Sequence, residues 1–320
     1  MRRRYFLVLA LIALVGARSS SPVVAQGAAA GMQPLVGTWK LVGLQRGASA
    51  QSLSQVANPV GILIQAANGI VIEIISQSGR AASLNAAEAF NTYQASWGSV
   101  TADPAKPTST YRISGDVDQR RMGQPFTRAF ERTPTQLVIT ETAAAGGPVT
   151  RTTWDRIPEL EALPDYQRDA VGMWQWVSAG LFNARDENVR PAYRDQSLIV
   201  YTPTGHMAVL YLGPPGRKPF AGATPTVDEA RAAMNQAVSY YGTYIVQPKT
   251  KTMFHYQLGA SNPTAVGGSF YRNFDIKGSQ LSLLFPPQML DGQPVQNRLV
   301  LKRLSGLADM LPAARSRRNR

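Results

Sequence analysis

The chain of 320 residues holds only two histidines, His206 and His255, and no cysteine. Metal binding would need two or three nitrogen or carboxylate ligands at close spacing. Nothing beside either histidine supplies them, so no metal is expected. Acid–base work would need a carboxylate near one imidazole, with Asp275 and Glu229 the candidates. Strand alternation along Gly205–Leu212 places His206 on one face with Ala208, Leu210 and Leu212. His255 shares its face with Met253 and Gln257. Both imidazoles thus point into a cavity or sit near strand ends. The chain has no Gly-x-Ser-x-Gly elbow, Walker A loop or dinucleotide glycine pattern, so no catalytic residue and no cofactor is assigned.

Aromatic residues gather in the second half: Tyr201, Tyr211, Tyr240, Tyr241, Tyr244, Phe254, Tyr256, Phe270, Tyr271, Phe274 and Phe285. A tyrosine presents an apolar body with a hydroxyl tip, which suits an amphiphilic or ring-bearing ligand and equally suits ordinary strand packing. The candidate ligand-binding set is Tyr201, His206, Tyr211, Tyr244, His255 and Arg272.

These residues lie on elements that occur twice. Gly37-Thr38-Trp39 returns as Gly172-Met173-Trp174, and Gly98, Arg128, Phe130, Gln136 and Leu137 return 144 positions later as Gly242, Arg272, Phe274, Gln280 and Leu281. An order-preserving match means two tandem modules. Short hairpins dominate each copy. In the second, Ser197–Thr202 and Gly205–Gly213 flank a Pro-Thr-Gly turn, and Tyr271–Ile276 and Gln280–Phe285 flank Lys277-Gly278. About eight strands per module are expected, the number at which a closed sheet has room for one small ligand. One helix interrupts the strands in each copy, opened by Asn85 with Glu88 and by Thr226 with Glu229. Its apolar stripe runs through Phe90, Tyr93 and Trp97, or through Ala230, Ala233, Met234, Ala237, Val238 and Tyr241, and stops before Gly98 or Gly242. One apolar side places each helix over the open end of a barrel.

Residues 1–25 read as an export signal: Arg2, Arg3 and Arg4, an apolar Phe6–Val15 stretch, and a small-residue cleavage site ending at Ala25. Arg3-Arg4-Tyr5-Phe6-Leu7 also resembles a twin-arginine core, which Arg2 and Val8 fit poorly. Either route implies a periplasmic or secreted protein. A flexible segment is expected over 26–33, modules over 34–157 and 170–306, a linker over 158–169 and a basic tail over 307–320. The formal charge of +13 shrinks once four arginines in the signal and four in the tail are set aside, leaving 25 basic against 20 acidic residues. These 25 are scattered singly, which argues against a nucleic-acid partner. Membrane contact is expected only through the tail.

In the second copy, Ala170-Val-Gly-Met-Trp-Gln-Trp-Val, Leu198-Ile-Val-Tyr-Thr-Pro-Thr-Gly-His-Met, Tyr241-Gly-Thr-Tyr, Phe254-His-Tyr with Asn262-Pro263, and Arg272-Asn-Phe-Asp-Ile-Lys-Gly-Ser-Gln-Leu-Ser-Leu resemble the bacterial lipocalin-like domain family. The first copy keeps Leu35-Val-Gly-Thr-Trp-Lys-Leu-Val and the Arg128/Phe130 strand, without equivalents of His206, His255 and Asn262-Pro263. The resemblance implies a mostly β chain of two small antiparallel barrels, each around an apolar cavity. It also implies that Trp39 and Trp174 plug the closed ends under a late-strand cation. Arg156 and Arg303 are the first candidates for that cation, and Arg128 and Arg272 the second. The expected function is binding of a small hydrophobic or amphiphilic molecule in the second cavity. An isomerase or cyclase using a histidine there, or an envelope interaction module with solid barrels, are the alternatives.

Overall fold

A computed structural model of the chain describes residue 32 and residues 35–312, apart from 82, 104, 144–146, 193–195, 214–215, 219 and 223. The expected signal over 1–25 and residues 313–320 of the expected tail lie outside the described residues.

Each module is one antiparallel sheet closed on itself. The first runs β1 (Gly37–Gly47), β2 (Ser54–Gln55), β3 (Pro59–Gln65), β4 (Ile70–Gln77), β5 (Gln94–Ala102), β6 (Thr108–Asp116), β7 (Pro125–Arg132), β8 (Gln136–Thr142) and β9 (Val149–Ile157). The second runs β10 (Gly172–Asn183), β11 (Asn188–Ala192), β12 (Leu198–Tyr201), β13 (His206–Leu212), β14 (Ala237–Gln247), β15 (Thr252–Ala260), β16 (Ser269–Lys277), β17 (Gln280–Leu290) and β18 (Gln293–Ser305). Pairing of β1 with β9 and of β10 with β18 shuts the two barrels. Eight strands form each wall as expected. β2 and β11 are short additions hydrogen-bonded to the outer halves of β1 and β10.

Inward side chains build an apolar core within each barrel. Trp39, Leu41, Leu63, Val100, Tyr111, Leu137 and Trp154 pack inside the first, and Trp174, Ile199, Tyr201, Met207, Val209, Leu281 and Leu301 inside the second. At the start of each barrel the indole N–H donates to a carbonyl four residues earlier, Trp39 to Leu35 at 3.1 Å and Trp174 to Ala170 at 2.9 Å. Arg156 lies 5.3 Å from the Trp39 ring centre and Arg303 lies 4.2 Å from that of Trp174. Each arginine also donates to a backbone carbonyl, of Val36 and Val171. Arg128 and Arg272 lie elsewhere, inside the barrels.

A third core joins the barrels. The outer faces of β3, β4 and β5 meet those of β12, β13 and β14 through Ile62, Ile64, Ile72, Ile74, Trp97, Leu198, Val200, Ala208, Leu210 and Tyr241. These strands are apolar on both faces because one faces its own barrel and the other its neighbour. Hydrogen bonds cross the seam between Tyr93 Oη and Ser239 Oγ at 2.6 Å, from Asn68 Nδ2 to the Leu304 carbonyl at 3.0 Å, and from the Trp97 indole to the Gln196 carbonyl.

Three expectations need correction here. The helices, Ala86–Asn91 and Val227–Asn235, open with the expected capping boxes. However, Phe90, Ala230 and Ala233 belong to the joining core, so the helices cover the seam and not the barrel mouths. Neither helix reaches its glycine. Ala237, Val238 and Tyr241 are already in β14, and Trp97 is in β5. Gly98 and Gly242 instead follow β-bulges, where a Cβ would collide with the facing carbonyl of Arg112 or Tyr256. Finally, the expected tail begins with a helical turn, Leu307–Met310, that buries Met310 in the joining core.

Candidate functional site

The inner wall of the second barrel gathers most of the candidate residues. On β16, Phe270, Phe274 and Ile276 pack on the barrel core, and the alternation places Arg272 on the same face. On β15, His255 lies opposite Tyr244 of β14 and Phe270 of β16. His255 is buried, and both ring nitrogens are engaged: Nε2 with the Tyr201 hydroxyl at 3.0 Å and Nδ1 with the Tyr240 hydroxyl at 3.1 Å. The Tyr244 hydroxyl donates to the Thr202 carbonyl at 3.0 Å. Tyr211 packs edge-on against Trp176, with ring centres 5.3 Å apart. Arg272 lies 4.3 Å from the ring centre of Phe270 and 3.8 Å from that of Phe285, and donates to the Tyr271 carbonyl.

Burial dominates the electrostatics of this cluster. It drives His255 down to about 3, helped by the nearby Arg272 charge, so the imidazole is neutral at ordinary pH. It holds Tyr201 and Tyr240 well above the usual phenol range, with further upward contributions from neighbouring tyrosines. A neutral imidazole has one N–H and one lone pair. One of these two tyrosines therefore donates to His255, while the other accepts from it and keeps its own hydroxyl proton free to donate.

The candidate set divides on one residue. Tyr201, Tyr211, Tyr244, His255 and Arg272 all belong to the inner wall, whereas His206 does not. The face it shares with Ala208, Leu210 and Leu212 is the one packed on the first barrel. Its Nδ1 rests 3.1 Å from the carbonyl and hydroxyl oxygens of Thr204. Alternation identified that face correctly, but could not say that the second neighbour was another barrel. Tyr240 and Phe270 belong to the site and were absent from the set. The aromatic list splits likewise: Tyr241 lies in the seam, and Phe254, Tyr256 and Tyr271 are exposed on the outer wall.

The first barrel holds different groups at matching positions. Tyr111 pairs with Val100 and Phe126 as His255 pairs with Tyr244 and Phe270. Its hydroxyl is 3.4 Å from Gln65 Nε2. Gln65 lies opposite Gly37 in the way that Tyr201 lies opposite Gly172. Arg128 makes bonds of 2.9 and 3.2 Å to Glu73 and 2.7 Å to Glu141. Burial opposes the Arg128 charge, but the two carboxylates outweigh it and hold this guanidinium well above its usual range. A concavity of about 90 Å³ remains beside it, lined by Glu73, Arg121, Arg128, Glu141 and Thr152 among others. The expected lack of an Asn262-Pro263 equivalent also needs qualification. Asp118 caps a 3-10 turn in the first barrel as Asn262 does in the second. Among the described residues no group of three His, Asp or Glu side chains is arranged to hold a metal ion.

Residues 171–304 match the lipocalin-like domain family. No curated protein matches the chain. Among solved structures, the chain is similar to a protein of unknown function from Nostoc punctiforme, at 11% identity over 88% of this chain and 99% of that one, with a TM-score of 0.24. It is also similar to a putative outer membrane protein from Bacteroides fragilis, at 9% identity over 85% and 99%, with a TM-score of 0.22. The chain is a tandem pair of closed antiparallel barrels, and the second matches the lipocalin-like domain family.

Proposed function

We propose that this is an exported binding protein whose second barrel holds a small hydrophobic or amphiphilic molecule. The observation that carries the reading is the inner wall itself: phenols, an imidazole and phenyl rings on one surface, with Val209 and Phe285 standing where the first barrel has the ion-paired Glu73 and Glu141. Apolar ligand area buried there contributes about 25 cal/mol per Å². The hydroxyls of Tyr201, Tyr211 and Tyr240 supply orientation.

Acid–base catalysis by His255 receives less support. Both nitrogens are occupied by tyrosines, no carboxylate is among their partners, and the depressed affinity for protons keeps the ring from acting as a base near neutral pH. Export is inferred from the residues 1–25 alone.

Native mass spectrometry of the protein purified from the cells that make it tests the reading. We expect a bound small molecule that is released on unfolding, retained less by His255→Ala and Tyr244→Ala, and retained fully by Phe126→Ala in the first barrel. Retention unchanged in the His255 and Tyr244 variants, or weakened only by the Phe126 variant, would overturn it.

A further inference from the structure

We propose that the second barrel selects an anionic amphiphile, with Arg272 receiving its carboxylate head; this rests on the binding reading above. The internal repeat points to this site. Arg128 and Arg272 are the same position in two barrels, since Arg128 lies opposite Ser109 and Arg272 opposite Met253, each pair 144 residues from the other. Two of the differences around them are the loss of carboxylates.

In the first barrel Glu73 and Glu141 close the arginine off. The place of Glu73, next to the residue opposite Trp97, is filled in the second barrel by Val209, next to the residue opposite Tyr241. The place of Glu141, directly opposite Arg128, is filled by Phe285. Both counter-charges have become apolar, while the cation remains. Among the described residues Arg272 has no carboxylate partner; its contacts are the rings of Phe270 and Phe285 and the Tyr271 carbonyl. Stacking uses the flat face of a guanidinium and leaves its N–H edge available for a planar, bidentate acceptor, which is the geometry of a carboxylate. The spare hydroxyl proton on Tyr201 or Tyr240 adds a neutral donor nearby. A half-buried cation with no internal counter-charge gains most from a ligand that brings one, and Phe270, Phe274 and Phe285 offer apolar surface for the rest of that ligand.

The same reasoning excludes the first barrel. An anion entering beside Arg128 would have to displace Glu73 or Glu141 and would meet the other.

Calorimetric titration of the full chain with decanoate and with decanol at pH 7.5 separates the possibilities. Decanoate is expected to bind roughly tenfold or more tightly than decanol, the scale of one charge-assisted hydrogen-bonded pair. Arg272→Gln is expected to remove that preference. Phe285→Glu, which installs the carboxylate found at position 141, is expected to abolish the preference with Arg272 still present. It therefore decides the matter should Arg272→Gln fail to fold, which circular dichroism would show. Equal binding of decanoate and decanol, or a preference that survives both substitutions, overturns the anion site and leaves the binding reading standing. Binding of neither probe overturns both.

Discussion

The two barrels share strand order, the bulges after Leu41 and Trp97 (Trp176 and Tyr241 in the second), indole plugs and the arginine that covers each plug, yet their interiors follow opposite electrostatic rules. The first satisfies its buried cation internally, with Glu73 and Glu141 around Arg128. The second leaves Arg272 among aromatic rings, and burial lowers its proton affinity where that of Arg128 is raised. One duplicated scaffold can therefore carry a closed, self-neutralised module beside an unsatisfied one. The shared features are those needed to close a sheet; the differing features are those a ligand would meet.

The largest expected effect comes from deleting each cation. Arg128→Met leaves Glu73 buried without its partner and should cost about 3–5 kcal/mol, measured by denaturant unfolding. Arg272→Met strands no carboxylate and should cost less than about 1 kcal/mol. Equal costs would remove the contrast between the barrels.

A pH series sharpens the same contrast. His255 falls to about 3 in the folded chain, so the unfolded chain binds the extra proton between that value and 6.5. Stability from this group is present above 6.5 and is lost as the pH falls below it, by about 1.4 kcal/mol per unit. Asp116, at the end of β6, behaves oppositely. Burial raises it to about 7, partly offset by Arg121, so the folded chain holds the extra proton above 3.8 and stability is lost as the pH rises toward 7. The slopes nearly cancel between about pH 4 and 6.5. His255→Phe should unmask falling stability with rising pH, and Asp116→Asn the reverse, each by about 2–3 kcal/mol across that window. Flat profiles in both variants would contradict these assignments.

Gly242→Ala places a Cβ against the Tyr256 carbonyl at the bulge and should cost about 1–3 kcal/mol, with Gly98→Ala similar. The smallest effect is expected outside. The outward row Thr101, Thr110, Thr127 of the first barrel becomes Ile245, Phe254, Tyr271 in the second, all three exposed. Phe254→Thr copies the first barrel and should change stability by no more than about 0.5 kcal/mol.

The repeat, the strand count and the capping boxes were legible because each rests on local residue types at fixed spacing, whereas the Trp–Arg plugs were an implication of the family resemblance. Five of the six candidate ligand residues lie on the inner wall. Strand alternation gives a face but not the neighbour beyond it, and so His206 entered the ligand set and both helices were set over the barrel mouths, when the helices cover the seam and His206 opens β13 on the seam-facing side. Sequence also could not rank Gly98 and Gly242 as bulge residues over helix ends, since the facing carbonyl is distant in the chain. Arg272 stood out least in the sequence, because its significance lies in two carboxylates that only the barrel geometry brings to its twin.

Hydrogen–deuterium exchange of the full chain with and without saturating decanoate addresses the central contrast most directly. The account predicts slowed exchange in β15, β16 and β17 and none in the matching strands β6, β7 and β8. Protection confined to the first barrel, or shared equally by the two, would contradict it.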